Sequence, residues 1–207
     1  MMDNPTLIRK FDKQAKSYGR GSRKKGMDWK WRKKLLPSAK GKILELSVGA
    51  GKNFRLYPKT AHITAVDFSA KMIEKARENA DYYQIQADFI IAPVEDLTFP
   101  ENTFDTIVST LSFCAYDDPV TVLKKVQTWC KPDGQILLME HGRSSYRLLG
   151  WLQDRLDGWQ YRTAGCHPNR DMMQIIKDAG LHIDKAEHKF FHSVHLLWRH
   201  PDKRTSL

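Results

Sequence analysis

The 207-residue sequence has no run of about 18 consecutive apolar residues, which argues against a helix that crosses a bilayer. It also does not open on the charged, apolar and small-residue pattern of a secretory leader, so a cytoplasmic protein is expected. Cysteine is scarce. Cys114, Cys130 and Cys166 are odd in number and show no CxxC spacing, which argues against a disulfide framework and leads to the expectation of no metal site. No repeat and no low-complexity segment interrupts the chain, and its length suits one α/β domain with a full core. Acid is nearly missing from the start. Residues 1–42 carry 14 Lys and Arg against Asp3, Asp12 and Asp28, a net +11, whereas the remainder sums to −1. The whole basic excess therefore lies ahead of the first expected strand.

What the sequence does have is concentrated between Lys42 and Asp67. The alternating apolar run Lys42-Ile43-Leu44-Glu45-Leu46 leads into Ser47-Val48-Gly49-Ala50-Gly51-Lys52-Asn53, a turn with two glycines one residue apart. A buried strand needs such a turn where a ligand must approach the backbone. Sixteen residues after Gly51, the run His62-Ile63-Thr64-Ala65-Val66 ends in Asp67. A carboxylate at the tip of a neighbouring strand can accept bonds from both ribose hydroxyls of a nucleoside. A dinucleotide turn would carry a third glycine three residues after Gly51, where Phe54 stands instead.

Periodicity places strands near 42–47, 62–67, 85–91, 104–110, 134–140, 181–190 and 193–199. Helices are expected near 52–57, 69–80, 118–130, 144–160 and 169–179, with Asp117-Asp118-Pro119 starting one and Asn169 capping another. Strand and helix alternate, so the expected fold is α/β: a Rossmann-like, seven-stranded, mostly parallel sheet with helices on both faces. The Phe191-His192 connection is too short for a helical crossover, which makes the last strand antiparallel.

These residues resemble a known family. Glu45-x-Ser47-x-Gly49-x-Gly51 is similar to motif I of the class I S-adenosylmethionine-dependent methyltransferases, with Ser47 standing where that family carries its first glycine. Val66-Asp67-Phe68-Ser69-x-x-Met72 resembles the next motif, and Val94-Glu95-Asp96-Leu97 resembles the adenine-holding loop, with Pro93 where many relatives carry Asp or Asn. Phe11-Asp12-x-x-Ala15-x-x-Tyr18 is similar to the N-terminal lid of the ubiquinone and menaquinone C-methyltransferases. Thr110-Leu111-x-x-Cys114, Met139-Glu140-His141 and Gly165-Cys166-x-x-Asn169-Arg170 resemble the alkyl-thiol methyltransferases. The resemblance implies S-adenosyl-L-methionine as cofactor, held by Tyr18, Glu45, Ser47, Gly49, Gly51, Asn53, Asp67, Phe68, Met72, Val94, Glu95, Thr110 and Leu111. It implies an acceptor pocket reached by Cys114, Cys166 and Arg170.

His141 is the candidate base, since an imidazole titrates near ~6.5, though it equally serves as a loop hydrogen-bonder. The two cysteines have an equally plain reading as small buried hydrophobes. The expected layout is a basic arm or lid over residues 1–41, a methyltransferase domain over 42–201 and a tail over 202–207. The arm is expected to be solvated and open without ligand and to close upon binding, with Trp29, Trp31, Leu35 and Leu36 among its cations suited to an anionic membrane face. Nucleic acid ranks behind lipid as its partner, because no separate RNA-binding module fits in the chain. The expected activity is methyl transfer to a small, apolar acceptor, a thiol ahead of the alternatives. Those are a quinone or phospholipid methyltransferase at a membrane face, and a nucleoside-binding regulatory domain without catalysis. Oligomeric state is not legible.

Overall fold

A computed structural model describes residues 4–199 of the chain. The expected tail at 202–207 lies outside the described residues, as does the last part of the expected 42–201 domain. The strands are β1 (Lys42–Leu46), β2 (His62–Asp67), β3 (Gln86–Ile91), β4 (Phe104–Thr110), β5 (Cys130–His141), β6 (Lys185–Lys189) and β7 (Val194–Arg199). They form one seven-stranded sheet in the order β3-β2-β1-β4-β5-β7-β6. The first five run parallel, and β7 is antiparallel to both β5 and β6. The chain turns from one half of the sheet to the other between β1 and β4. Their carboxyl ends therefore splay two connections apart and leave a crevice, the place where open α/β sheets take ligands.

Alternation along each strand divides the core in two. Ile43, Ile63, Val108 and Leu137 face one side, while Leu44, Val66, Ile107 and Leu138 face the other, all essentially without exposure. The first layer is covered by α2 (Trp29–Leu35) and α3 (Ala70–Tyr83), the second by α4 (Pro119–Trp129) and α6 (Met172–Asp178). The edge strand β6 carries Lys185 and Lys189, and such charges discourage pairing with another sheet.

Several boundaries differ from the sequence reading. The helix expected near 52–57 is a single 3-10 turn, Phe54–Leu56, stopped by the extended Tyr57 ahead of Pro58. The strand expected over 181–190 shortens to β6, and β5 begins earlier, at Cys130. Asn169 does not cap α6. Asp171 does, accepting from Gln174 N, while the Asn169 amide bonds Asp154 instead.

The basic arm is not a solvated extension. Residues Asn4–Ser22 form α1, and Leu7, Phe11 and Ala15 recur on one of its faces at intervals of four. Phe11 and Ala15 pack on Met72 and Ala50, Leu7 lies over Gly165, and Phe11 meets the Phe68 ring edge-on at 5.2 Å. Arg9, Lys13, Lys16 and Arg20 of α1 are exposed, away from that stripe. Helix α5 (Arg147–Ala164) contrasts with the others: Gly150 is its one buried residue, and Leu148, Trp151, Leu152, Leu156 and Trp159 are all exposed.

Candidate functional site

The turn after β1 sets the geometry. Ser47, Gly49 and Gly51 take φ of 48°, 54° and 72°, a left-handed region that costs a side chain about 1–2 kcal/mol. At Gly51 the glycine is required by packing, because a Cβ would lie 2.7 Å from the Phe54 ring. At Gly49 a Cβ would meet nothing within 4 Å. It would project into open space over the crevice, so the absent side chain leaves the backbone open to a ligand. Val48 N bonds Val66 O at 2.8 Å and fixes this turn to the tip of β2.

Asp67 ends β2 and is 5% exposed. Its Oδ2 accepts from Gly49 N at 2.8 Å and its Oδ1 from Ser69 N at 2.9 Å. One lone-pair direction remains on each oxygen. Burial is the main cause that pushes its carboxyl up to about 6, partly offset by those two N–H groups. Ser69 caps α3 through Met72 N and donates to Asp12, which clips α1 to the site.

A cavity of about 300 Å³ lies over these groups at the crevice between β1 and β4. Of the residues expected to hold a cofactor, Ser47, Gly49, Asp67, Phe68 and Met72 line it from the β1 and β2 side. Glu95, Thr110 and Leu111 line it from the opposite side, and Tyr18 lines it from α1. Pro93 also lines it, while the neighbouring Val94 is buried below. Gly51 shapes the turn without reaching the cavity.

Glu45 and Asn53 lie beneath the floor. Asn53 Nδ2 donates to Glu45 Oε1 at 2.9 Å, and Glu45 Oε2 and the Tyr57 hydroxyl are buried without a well-aligned bond. Burial pushes the Glu45 carboxyl up to about 7, against the pull of Tyr57, Asn53 and Arg32. A carboxyl raised on folding favours the folded state below its unfolded value, near ~4.3, and that contribution is lost as pH rises through about 7. His195, pushed down to about 4 by burial, acts in the opposite sense. The Glu45 contribution is therefore isolated by comparison with Glu45→Gln. Urea midpoints of wild type and variant are expected to diverge from pH 4.5 to 7.5, wild type losing ground. A constant difference would show that Glu45 is ionised throughout.

Arg32 was not legible as a site residue. It is 6% exposed and donates to Asp28 Oδ2 at 2.6 Å, Asn53 Oδ1 at 2.5 Å and Thr110 Oγ1 at 2.9 Å. One buried guanidinium thus joins α2, the β1 turn and the end of β4. In the sequence it is one cation among many, and the sole signal is Asp28 four residues before it. Burial works to raise the Asp28 carboxyl, but Arg32 and Lys52 outweigh it and hold it below its usual range.

A second buried network was missed as well. Ser47 Oγ and the Tyr116 hydroxyl are 2.9 Å apart, Tyr116 donates to Ser112, and Ser109 joins Ser112 to Glu140. Glu140 also accepts from Ser112 N and Phe113 N, so a fully buried carboxylate shapes the loop after β4. The side chain of Ser47 therefore has a partner that a glycine would lack.

The expected acceptor group does not line the cavity. Cys114, His141 and Cys166 come together beside it, with their sulfur and ring nitrogen atoms all within 4.8 Å of one another. A hydrogen bond shared by the thiols holds the Cys114 thiol up and draws Cys166 down, with His141 adding to the latter. Arg170 donates to the Tyr116 carbonyl and is half-buried there.

Comparison with known proteins points the same way. Residues 44–138 match the family model described as "Methyltransferase domain". The chain is 32% identical over 174 residues to "Methyltransferase OMS1, mitochondrial" of Saccharomyces cerevisiae, covering 74% of this chain and 37% of that protein. It is 32% identical over 166 residues to "Thiol S-methyltransferase TMT1B" of Rattus norvegicus, covering 77% of this chain and 63% of that one. The chain thus spans less than two thirds of the length of either relative. A chain in the complex between the Haloferax volcanii Trm112 methyltransferase activator and a methyltransferase superposes with a TM-score of 0.71 at 17% identity, covering 92% of this chain and 97% of that one. That likeness shows the fold.

Proposed function

From a chain that carries a class I S-adenosylmethionine-dependent methyltransferase domain, we propose an enzyme that moves the methyl group of S-adenosyl-L-methionine to a small apolar acceptor, an alkyl thiol first. The observation that carries the reading is Asp67, buried at the rim of the cavity with one lone-pair direction left on each oxygen, next to the open backbone of Gly49. That pair suits a ribose diol lying against a bare turn, so the residues fit the cofactor. When bound, its sulfonium supplies a methyl group already activated for transfer.

The chain's own part is then positioning. Asp67 orients the ribose, the Ser47–Gly51 turn admits the backbone approach, and Phe11, Tyr18 and Leu7 close the cavity from α1 against water. Glu95 and Pro93 border the far end, where an adenine would lie with no side-chain amide or carboxylate at 93 to hold it. A thiol acceptor asks for little further help, since its free pKa near ~8.5 leaves a usable thiolate fraction. The test is transfer from methyl-labelled S-adenosylmethionine to a panel of alkyl thiol, quinol and phospholipid acceptors. Labelled thioether is the expected product. Label in the quinol or phospholipid instead would move the acceptor class. No label at all, with S-adenosylhomocysteine still bound, would leave a regulatory nucleoside-binding domain.

One observation favours an acceptor presented at a membrane face. On α5, Leu148, Leu152 and Trp159 recur on one side, flanked by Trp151 and Leu156, with Arg147, Arg155 and Arg162 around them. Exposed apolar groups bordered by cations suit an anionic lipid surface, where each cation adds about 1 kcal/mol at low salt. Among the described residues no helix is long and apolar enough to cross a membrane, so the contact would be peripheral. Co-sedimentation with phosphatidylserine-containing vesicles is expected at low salt and is expected to fall in Trp151→Ala/Trp159→Ala. Equal sedimentation of that variant would transfer the contact to the basic face of residues 4–42.

A further inference from the structure

We propose that Cys114, His141 and Cys166 form a binding site for one soft divalent cation of the zinc class, with a fourth position left for water or an exogenous thiolate. Three segments distant in sequence supply the donors. Cys114 lies in the loop after β4, His141 is the last residue of β5, and Cys166 follows Gly165, which ends α5. Their ligand atoms all fall within 4.8 Å of one another. Zinc–sulfur and zinc–nitrogen bonds of about 2.3 and 2.0 Å put tetrahedral ligands roughly 3.3–3.8 Å apart, so side-chain rotations that move atoms by about 1 Å close the site.

The surroundings hold the donors in place independently of any ion. His141 is paired with Val194 in the β5–β7 ladder, and His167 N bonds Cys114 O at 2.9 Å, which pins the turn carrying Cys166 to the loop carrying Cys114. Gly165 takes φ of 81°, and a Cβ there would lie 2.7 Å from Leu7, so α1 and α5 meet at this point. Gln160 Nε2 lies 3.7 Å from Cys166 Sγ, an outer contact of the kind that orients a metal thiolate.

Donor chemistry selects the ion. Two sulfurs and an imidazole favour zinc and other borderline or soft metals, and exclude the oxygen-seeking magnesium and calcium. The nearby carboxylates are committed elsewhere: Glu140 to Ser109, Ser112 and Phe113, and Asp157 to His167. Two thiolates would also balance the charge of the cation, which suits a place where Cys114 is buried and the other two donors are partly covered. The site adjoins the cavity through the loop from Leu111 to Tyr116, whose members on either side of Cys114 line it.

The test uses the full chain, prepared under reductant and offered Zn²⁺ or Co²⁺. After dialysis, about one zinc per chain is expected. The cobalt form is expected to show the intense visible bands of a tetrahedral site with thiolate-to-metal charge transfer. Cys166→Ser and His141→Gln are each expected to lose those bands, while Cys130→Ser keeps them. S-adenosylhomocysteine titration of the same samples reports on the cofactor site and on folding, so loss of metal with retained nucleoside binding locates the effect in this cluster. Three freely titrating thiols with no retained metal would overturn the proposal. So would a Cys114–Cys166 disulfide formed by mild oxidant in a chain that never takes up cobalt.

Discussion

Asp67→Ala is expected to weaken S-adenosylhomocysteine binding by about 1.5–3 kcal/mol, the range for hydrogen bonds to a charged group, or roughly 10- to 150-fold in Kd. The loss has two parts. The ribose hydroxyls lose a buried carboxylate, and Gly49 N loses the acceptor that fixes the turn beneath the cofactor. Dependence on pH separates these. The wild-type carboxyl is pushed up to about 6 by burial, and only its ionised form accepts from both hydroxyls. Affinity should therefore fall as pH drops through about 6, by up to about tenfold per unit, and level off above it. The Ala variant should show no such slope, and Asp67→Asn should be weak at every pH. Calorimetric titrations at pH 5, 6 and 7.5 read all three. A variant as tight as wild type would remove Asp67 from the site and with it the main support for the ribose contact.

Asp67 and the turn before it were legible because strand alternation, glycine spacing and a terminal acid are local features, and each has one physical use at a sheet edge. The sheet itself was legible for a similar reason: parallel strands covered on both faces leave short, nearly continuous apolar runs bounded by turns, and the short Phe191-His192 link permits nothing but an antiparallel return. These runs gave the strands but left the 3-10 turn at Phe54–Leu56 and the cap at Asp171 out of reach. One depends on Tyr57 leaving the turn in an extended conformation, the other on which of two neighbouring polar side chains reaches back to the helix N–H groups. In the arm a dense run of charge masks a helical spacing. Leu7, Phe11 and Ala15 recur at intervals of four, and the exposed cations of α1 (Arg9, Lys13, Lys16 and Arg20) lie off that stripe. Contacts between distant segments leave no local spacing to read. Cys114, His141 and Cys166 are 27 and 25 residues apart, far from any metal-ligand spacing, and converge because β4, β5 and the end of α5 finish at the same edge of the sheet. Ser47 shows a subtler limit. It stands where the resembling family carries a glycine, and the structure gives its hydroxyl a partner on Tyr116, 69 residues away in sequence.

Arg32→Met is expected to cost about 3–5 kcal/mol of folding stability, the range for removing one partner of a buried charged pair. Methionine keeps most of the side-chain volume, so packing against the sheet is conserved and the electrostatic part is what is lost. Three groups then lose a donor: Asp28, Asn53 Oδ1 and Thr110 Oγ1. Asp28 retains Lys52 at 2.7 Å, which argues for the lower end of the range. A domain of this size loses roughly 2–4 °C of Tm per kcal/mol, so a fall of about 6–20 °C is the readout. The effect should reach the cofactor as well, because Thr110 lines the cavity and Asn53 holds Glu45 beneath it. Asp28→Asn in the Arg32→Met background separates the pair from the other two bonds. If the charge pair dominates, the second substitution recovers part of the stability by removing the carboxylate left without its Arg32 bond, less what its remaining Lys52 pair contributes. If Asn53 and Thr110 dominate, it recovers nothing. A loss below about 1 kcal/mol for Arg32→Met alone would place Arg32 among the surface cations it resembles in sequence and would remove α2 from the architecture of the site.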